Sequence, residues 1–294
     1  MTDLVLVDIS NTFTKVAIVR RGKIGRIQRL PTKSLTAGGL HSLLPANHPH
    51  RVVAASVVPG KNREVDRAFD SPVCWIGPDF NLGVGIDYPS PGAIGADRLA
   101  NAAGCAACFG VPAVVVDFGT AVTFDILSPE GNYIGGVIAP GLNAMTEYLH
   151  DRTALLPLIK LREPRGVVGR STRDAMIAGA VHGYRGLVRE ILAQIRREAF
   201  PNHEPHVIAT GGDASLIASG VPAFTAVDPT LTLKGLLVIA NLNPGRNSGA
   251  DAGNTPRPRS RSKPHENPPA AKENPRADRS KSAPASRRKS AAQA

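Results

Sequence analysis

Ala113-Val-Val-Val-Asp117-Phe-Gly119-Thr120-Ala-Val-Thr-Phe-Asp125 reads as one structural unit. The β-branched run from Ala113 to Val116 suits a strand buried on both faces. Asp117 stands where that run ends, Gly119 permits a tight turn, and Val122 to Leu127 returns as a second strand. A polyphosphate with its cation needs these groups at a sharp turn: backbone that can come close, a hydroxyl such as that of Thr120, and a carboxylate for the ion. Many strand turns hold Asp and Gly for backbone reasons alone. The weight comes from repetition.

Shifted by 109 positions, Leu4–Val7 falls on Ala113–Val116 and Asp8 falls on Asp117. Ser10 then meets Gly119, Asn11 meets Thr120, Gly22 meets Gly131, and Ile24–Leu30 meets Tyr133–Ala139. Two strand–Asp–turn–strand–hairpin–strand units at one offset imply an internal duplication. After the first unit, the pattern predicts a helix over Thr36–Leu44, a strand over Arg51–Val58, a helix over Asn62–Phe69 and a strand over Val73–Ile76. After the second it predicts a helix from Asn143 to about His150 and an irregular stretch over Ala154–Leu161. A long helix over Thr172–Ala199 follows, opened by a capping-box-like Ser171-Thr-Arg-Asp174. Ile177, Val181, Tyr184, Val188, Ile191 and Ile195 give it one apolar stripe, core in the first place and, at this length, also suited to a dimer interface. A strand over Val207–Ala209, a helix over Ala214–Ser219, a strand over Ala223–Val227 and a helix over Leu231–Asn241 complete the copy. This order predicts an α/β protein of two RNase H-like domains with a cleft between them, as in the actin-like ATPase group. The expected partition is 1–112, 113–245 and a tail, 246–294.

A chain of 294 residues can bury two modest cores, which aliphatic side chains must build because aromatics are only 4%. The net charge of +11 is unevenly spread. Residues 246–294 hold 12 Lys and Arg against 4 Asp and Glu, a net of +8, which leaves +3 for the rest. The basic balance is therefore poor evidence that the body binds nucleic acid. The tail is rich in Pro, Ser, Ala, Asn and Arg with no large apolar residues, and is expected to be disordered. The three cysteines, Cys74, Cys105 and Cys108, form no even disulfide framework and favour a reducing compartment. Cys105 and Cys108 have the spacing of half a metal site, but no second pair exists, and buried small thiols account for them better. Asp3 and Asp8 interrupt the first apolar run, so no signal peptide is expected, and no run of about 18 apolar residues suggests a membrane span. The expected location is the cytoplasm.

Between the two halves, Gly95-Ala96-Asp97-Arg98 opens an Ala-rich helix expected over Ala96–Phe109. Asp97 there suits the helix dipole, yet it is also the best candidate base for a substrate hydroxyl. Arg98 offers a fork for a substrate carboxylate, or for charge near the γ-phosphate. In the first turn, Ser10, Asn11 and Thr12 offer hydroxyls and backbone N–H groups to phosphates, and Lys15 adds a point charge. Thr210-Gly211-Gly212-Asp213 is a glycine-rich turn that would run against an adenosine.

These residues resemble the type III pantothenate kinases of the actin-like phosphotransferase superfamily. Asp8-Ile-Ser-Asn-Thr-Phe-Thr-Lys15 is similar to that family's first phosphate motif, Gly95–Arg98 to its pantothenate motif, and Asp117–Thr123 to its second phosphate motif. Gly135–Gly141, Gly169–Thr172 and Thr210–Gly212 follow in the family's order, and the resemblance covers about residues 3–242. It implies Asp97 as the acceptor of the pantothenate hydroxyl proton. It places Gly95, Ala96, Arg98, Tyr88 and Thr172 in the same pocket. It implies ATP held by Asp8, Ile9, Ser10, Asn11, Thr12, Phe13, Thr14, Lys15 and Thr120, with Mg2+ on the phosphates. Asp117 would bind the monovalent cation, K+ or NH4+, and the chain would form a homodimer. Ser10 departs from the family's usual glycine; its Cβ demands an allowed φ, and activity is expected to survive.

Two other functions fit parts of the chain. A non-catalytic regulatory or nucleic-acid-associated protein on the same fold would use the basic tail, whose simpler reading is a solubilising appendage. A nuclease would need several acids around two metals, against which Lys15, Thr120 and the doubled phosphate turn argue.

Overall fold

The computed structural model describes residues 4–44 and 51–246. The expected disordered tail beyond Arg246 and the loop from Pro45 to His50 lie outside them. The elements are β1 (Leu4–Ile9), β2 (Phe13–Arg20), β3 (Lys23–Ile24), β4 (Gln28–Pro31), α1 (Ala37–His41), β5 (Arg51–Ser56), α2 (Asn62–Ala68) and β6 (Val73–Trp75). Then come β7 (Gly85–Ile86), α3 (Ala96–Phe109), β8 (Ala113–Phe118), β9 (Ala121–Leu127), β10 (Asn132–Pro140), α4 (Leu142–Arg152) and α5 (Thr172–Ala199). β11 (His206–Gly211), α6 (Ala214–Ala218), β12 (Ala226–Val227) and α7 (Leu231–Leu242) end the described chain.

They build two six-stranded sheets, one ordered β3-β2-β1-β5-β6 with β4 also on β2, the other β12-β11-β8-β9-β10-β7. In each, an antiparallel meander is extended by two parallel strands: β5 and β6 beside β1, β11 and β12 beside β8. The repeat is visible in the bounds. β1 shifted by 109 residues is β8, and the span from β3 to β4 shifted likewise is β10. The first hairpin turns at Arg21 (φ 50°) and Gly22 (φ 74°), two left-handed residues whose twist matches the strands they join.

Some expected bounds move. The strand over Ile24–Leu30 is broken at Gly25–Ile27, where Gly25 N–H instead closes on Ile18 O at 2.9 Å. The Thr36–Leu44 helix is one short turn, Ala37–His41, capped by the Thr36 hydroxyl on Gly39 N–H. The strand expected over Ala223–Val227 keeps only its last two residues, because Phe224 N–H turns back to Val221 O. Ser171 does cap α5, but Asp174 does not complete a capping box. Its carboxylate accepts the Ser171 hydroxyl at 2.9 Å and Arg162 at 2.9 Å, a shorter side chain than Glu meeting nearer donors.

Strand alternation sorts the apolar residues into layers. Val5, Val7 and Ile9 point outward onto Leu40 of α1 and Val65 of α2. Val114, Val116 and Phe118 point outward onto α5, α6 and α4. Leu4, Leu6, Ala113 and Val115 point inward, into one core that holds α3 and α7 between the sheets. By the same period of two, Asp8 and Asp117 point inward as well.

α3 and α7 cross without a gap. A Cβ on Gly235 would overlap the carbonyl of Ala100, and one on Gly104 would come within 2.7 Å of Leu231 O. Gly235→Ala is therefore expected to destabilise by about 2–3 kcal/mol, lowering Tm by about 5–10 °C. Gly186→Ala, on α5 with nothing within 4 Å of the new methyl, is the control, expected neutral or stabilising. Differential scanning calorimetry of both variants measures this.

Candidate active site

β1 ends in a carboxylate that its neighbours hold still. Asp8 is buried, and the antiparallel register sets it directly opposite Lys15 on β2. Lys15 Nζ meets its Oδ2 at 3.1 Å and the Ser10 hydroxyl donates to Oδ1 at 3.1 Å. Ser10 is not among the residues with positive φ, so this position does not need glycine's freedom. The turn is braced from behind. Thr32 Oγ1 donates to Ser10 O at 2.7 Å and pairs with the buried Thr14 hydroxyl at 3.0 Å, while Thr32 N–H donates to Thr12 O. Ile9 is packed in the outer core, and the exposed Phe13 ring carries the Arg29 guanidinium 4.8 Å from its centre. Asn11, Thr12 and Thr120 are exposed.

The equivalent acid on β8, Asp117, has a different partner. Asn101 Nδ2 of α3 donates to its Oδ2 at 2.9 Å. Burial raises the Asp117 carboxyl above the usual range, while Asn101 and the nearby Lys15 charge hold it down. Gly211, at φ +95°, lets the next turn press against it: a Cβ there would stand 2.6 Å from Asp117 Oδ1. The two turns of the duplication touch, Thr12 Oγ1 lying 3.0 Å from Thr120 Oγ1.

Asp97 enters from the first turn of α3. Its carboxyl is pushed up to about 6, first by burial and then by the charges of Asp8 and Asp117, with Arg98 opposing. Asp97 thus feels the charges of both turn acids, and that repulsion is what a transferable proton on Asp97 relieves. A Cβ on Gly95 would come 2.6 Å from Asp97 Oδ1, so glycine there keeps room for the acid.

Arg98 turns toward β9, where sequence reasoning named no partner. Its Nε lies 2.6 Å from Asp125 Oδ1, Tyr133 Oη donates to the same oxygen at 3.1 Å, and the guanidinium carbon sits 5.7 Å from the Tyr133 ring centre. Asp125 is fully buried; burial pushes its carboxyl up while Arg98 and the Tyr133 hydroxyl hold it down. Tyr88 stands edge-on to Tyr133, with centroids 6.1 Å apart, and flanks Gly135. Gly136 is constrained, because a Cβ would overlap Phe124 O and approach Arg98 Nη2 at 2.6 Å. Tyr88, Gly95, Ala96, Asp97 and Arg98 therefore share one neighbourhood. Thr172 begins α5, exposed, and none of these hydrogen bonds reaches it. The signals that could have revealed the missed residues are an amide in an Ala-rich helix one turn after Asp97, and an acid within a buried strand.

The residues fit a singly charged ion better than a closed divalent cage. Asp117 is half-buried with a neutral amide as its direct partner, and among the described residues no group of three or more His, Cys, Asp or Glu forms a metal site. Asp8 and Asp97 suit an ion carried by phosphates, which needs only one or two carboxylates. Of the two helix thiols, Cys105 is buried as expected but Cys108 is exposed.

The model of the family described as type III pantothenate kinase matches residues 4–194. A type III pantothenate kinase of Akkermansia muciniphila is 49% identical over 239 residues, covering 81% of this chain and 98% of that protein. One from Methylacidiphilum infernorum is 41% identical, covering 81% and 88%. Among solved structures, one described as a 2-dehydro-3-deoxygalactonokinase from Sinorhizobium meliloti superposes with TM-score 0.54 at 12% identity, covering 81% of this chain and 98% of that one. One described as a Baf family transcriptional activator from Campylobacter jejuni gives 0.51 at 19%, covering 81% and 97%. The structural likenesses speak to fold; the matched model and the extent of identity establish that the chain belongs to the type III pantothenate kinase family.

Proposed function

We infer that the chain is a pantothenate kinase: it transfers a phosphoryl group from ATP to the alcohol of pantothenate, giving 4′-phosphopantothenate, the first step of coenzyme A synthesis. The observation that carries the mechanism is Asp97, a carboxyl near 6 held beside two touching phosphate turns. In this reading Asp97 accepts the proton of the pantothenate hydroxyl as the in-line transfer proceeds, with no covalent intermediate. Arg98, fixed through Nε to Asp125, keeps its two terminal nitrogens for the pantothenate carboxylate. Gly95 and Ala96 would line the same pocket with Tyr88 as its aromatic wall, and Thr172, which the family resemblance adds, would bring its hydroxyl from the start of α5.

The Asp8–Lys15 turn and Thr120 would hold the ATP phosphates through backbone N–H groups, the hydroxyls of Ser10 and Thr12, and the Lys15 charge, with the buried Thr14 hydroxyl bracing the turn through Thr32. Ile9, Asn11 and Phe13 contribute backbone. Mg2+ would ride on the phosphates beside Asp8, and Asp117 would hold K+ or NH4+. These ions supply charge neutralisation when bound. The wider reading is of two actin-like domains, 1–112 and 113–245, closing on the cleft from a cytoplasmic homodimer. The inward pointing of Asp8 and Asp117 from two sheets of like order supports it. Among the described residues no helix is long and apolar enough to cross a membrane.

The test is coupled ADP release from purified protein, with and without pantothenate and potassium. Turnover that does not depend on pantothenate rejects the reading. Asp117→Asn is expected to raise the half-saturating potassium concentration about 10-fold or more while pantothenate KM changes little. Potassium titrations at saturating ATP measure it, and an unchanged potassium dependence removes Asp117 from the cation site.

A further inference from the structure

Asn101 is a polar residue in the middle of the Ala-rich α3, almost completely buried, one helical turn after Asp97. Both ends of its amide are used. Oδ1 accepts the hydroxyl of the buried Thr232, on α7, at 2.8 Å, and Nδ2 donates to Asp117 Oδ2 at 2.9 Å. The order of these bonds matters. Donation from Thr232 commits Oδ1, so the amide must present its N–H to Asp117; the flipped amide would set oxygen against carboxylate. The reach is set by the bare crossing of Gly104 and Gly235, since a methyl at either would push α7 away from α3 and take the Thr232 hydroxyl out of range.

We infer that Asn101, oriented by Thr232, is the positioning residue for Asp117: it holds one carboxylate oxygen so that the other is presented to the monovalent cation. The inference rests on the assignment of Asp117 to that cation. Neutral partners suit this task. An arginine or lysine in place of Asn101 would cancel the charge the cation needs, whereas an amide fixes the carboxylate and leaves its charge in place. The arrangement also ties cation binding to the α3–α7 contact, since Asn101 bonds both Thr232 and Asp117.

The experiment uses the full-length protein with four variants: Thr232→Val, Thr232→Ser, Asn101→Leu and Asp117→Asn. Potassium chloride is titrated against choline chloride at fixed ionic strength. Two midpoints are read: turnover, and the rise of Tm in the absence of substrates. Thr232→Val, nearly isosteric, is expected to shift both midpoints about 3- to 10-fold upward, and Asn101→Leu about 10-fold or more. Saturated kcat should stay within about 3-fold of the parent and pantothenate KM should not move. Thr232→Ser, which keeps the hydroxyl, should restore the parent midpoints. If Thr232→Val and Asn101→Leu lower the baseline Tm but keep the parent's potassium midpoints, the two residues are structural and the inference fails. Should Asn101→Leu not fold, Thr232→Val alone decides. Asp117→Asn separates the two claims: an intact potassium response there, or none in the parent, rejects the cation assignment itself, whereas its loss with unmoved Thr232 and Asn101 variants rejects only the positioning.

Discussion

Replacing Asp97 with asparagine is expected to lower kcat by about 10²- to 10⁴-fold, the range a positioned general base contributes. Pantothenate KM should change far less, because the interaction lost belongs to the transition state. Asparagine keeps the shape of the side chain and leaves Gly95 and Arg98 in place, so loss of binding is not the expected cause. The pH profile gives an independent check. The working base is the ionised form of a carboxyl near 6, so kcat/KM should fall as pH drops through about 6 and be flat above it. The same raised value has a sign for stability. The folded protein keeps a proton at Asp97 that the unfolded chain, with an ordinary value of 3.8, has already released, so stability from this site is lost between about pH 4 and 6. At pH 7.5 the inactive Asp97→Asn should therefore melt higher than the parent, by about 1–3 kcal/mol of unfolding free energy. Turnover within tenfold of the parent would remove Asp97 as the base.

Where the sequence carried local signals, the reading and the structure agree closely. α3 begins and ends where Gly95 and Gly110 bracket an Ala-rich run, and α5 begins at its Ser171 cap and runs to Ala199. The 109-residue offset reproduces β1 in β8 because strand length and the turn after an acid are both local properties. What stayed hidden is what depends on partners far along the chain. Arg98 reads in sequence as a fork for a substrate; it meets Asp125, 27 residues on, which only the packing of α3 against β9 brings near. Asn101 was lost in an alanine-rich pattern, since nothing local says that Thr232, 131 residues later, and Asp117 will claim the two ends of its amide. The motif from Asp8 to Lys15 was read as one binding loop, yet strand alternation divides it. Ile9 and Thr14 face the packing behind the turn, and Lys15 spends its charge on Asp8, the residue opposite it in the ladder.

The buried Arg98–Asp125 pair permits a test that separates support of the fold from recognition of substrate. Asp125 is wholly enclosed and Arg98 nearly so, with side chains 0% and 14% exposed. Breaking such a pair by removing one partner leaves an uncompensated charge and costs about 3–5 kcal/mol. Arg98→Met should therefore lower Tm by about 8–15 °C and also raise pantothenate KM, an outcome that by itself assigns nothing. The double variant Arg98→Met with Asp125→Asn removes both charges while Tyr133 and Thr123 can still hydrogen-bond the amide. It should recover most of the lost stability, because a neutral buried pair has no charge left to solvate. Substrate recognition should not recover with it, since the methionine cannot form a bidentate bond to a carboxylate. A double variant that melts like the parent yet keeps a pantothenate KM raised by 10-fold or more places Arg98 in the substrate pocket. One that regains both stability and KM makes the arginine a strut of the α3–β9 contact, and the carboxylate of pantothenate must then be held by another group.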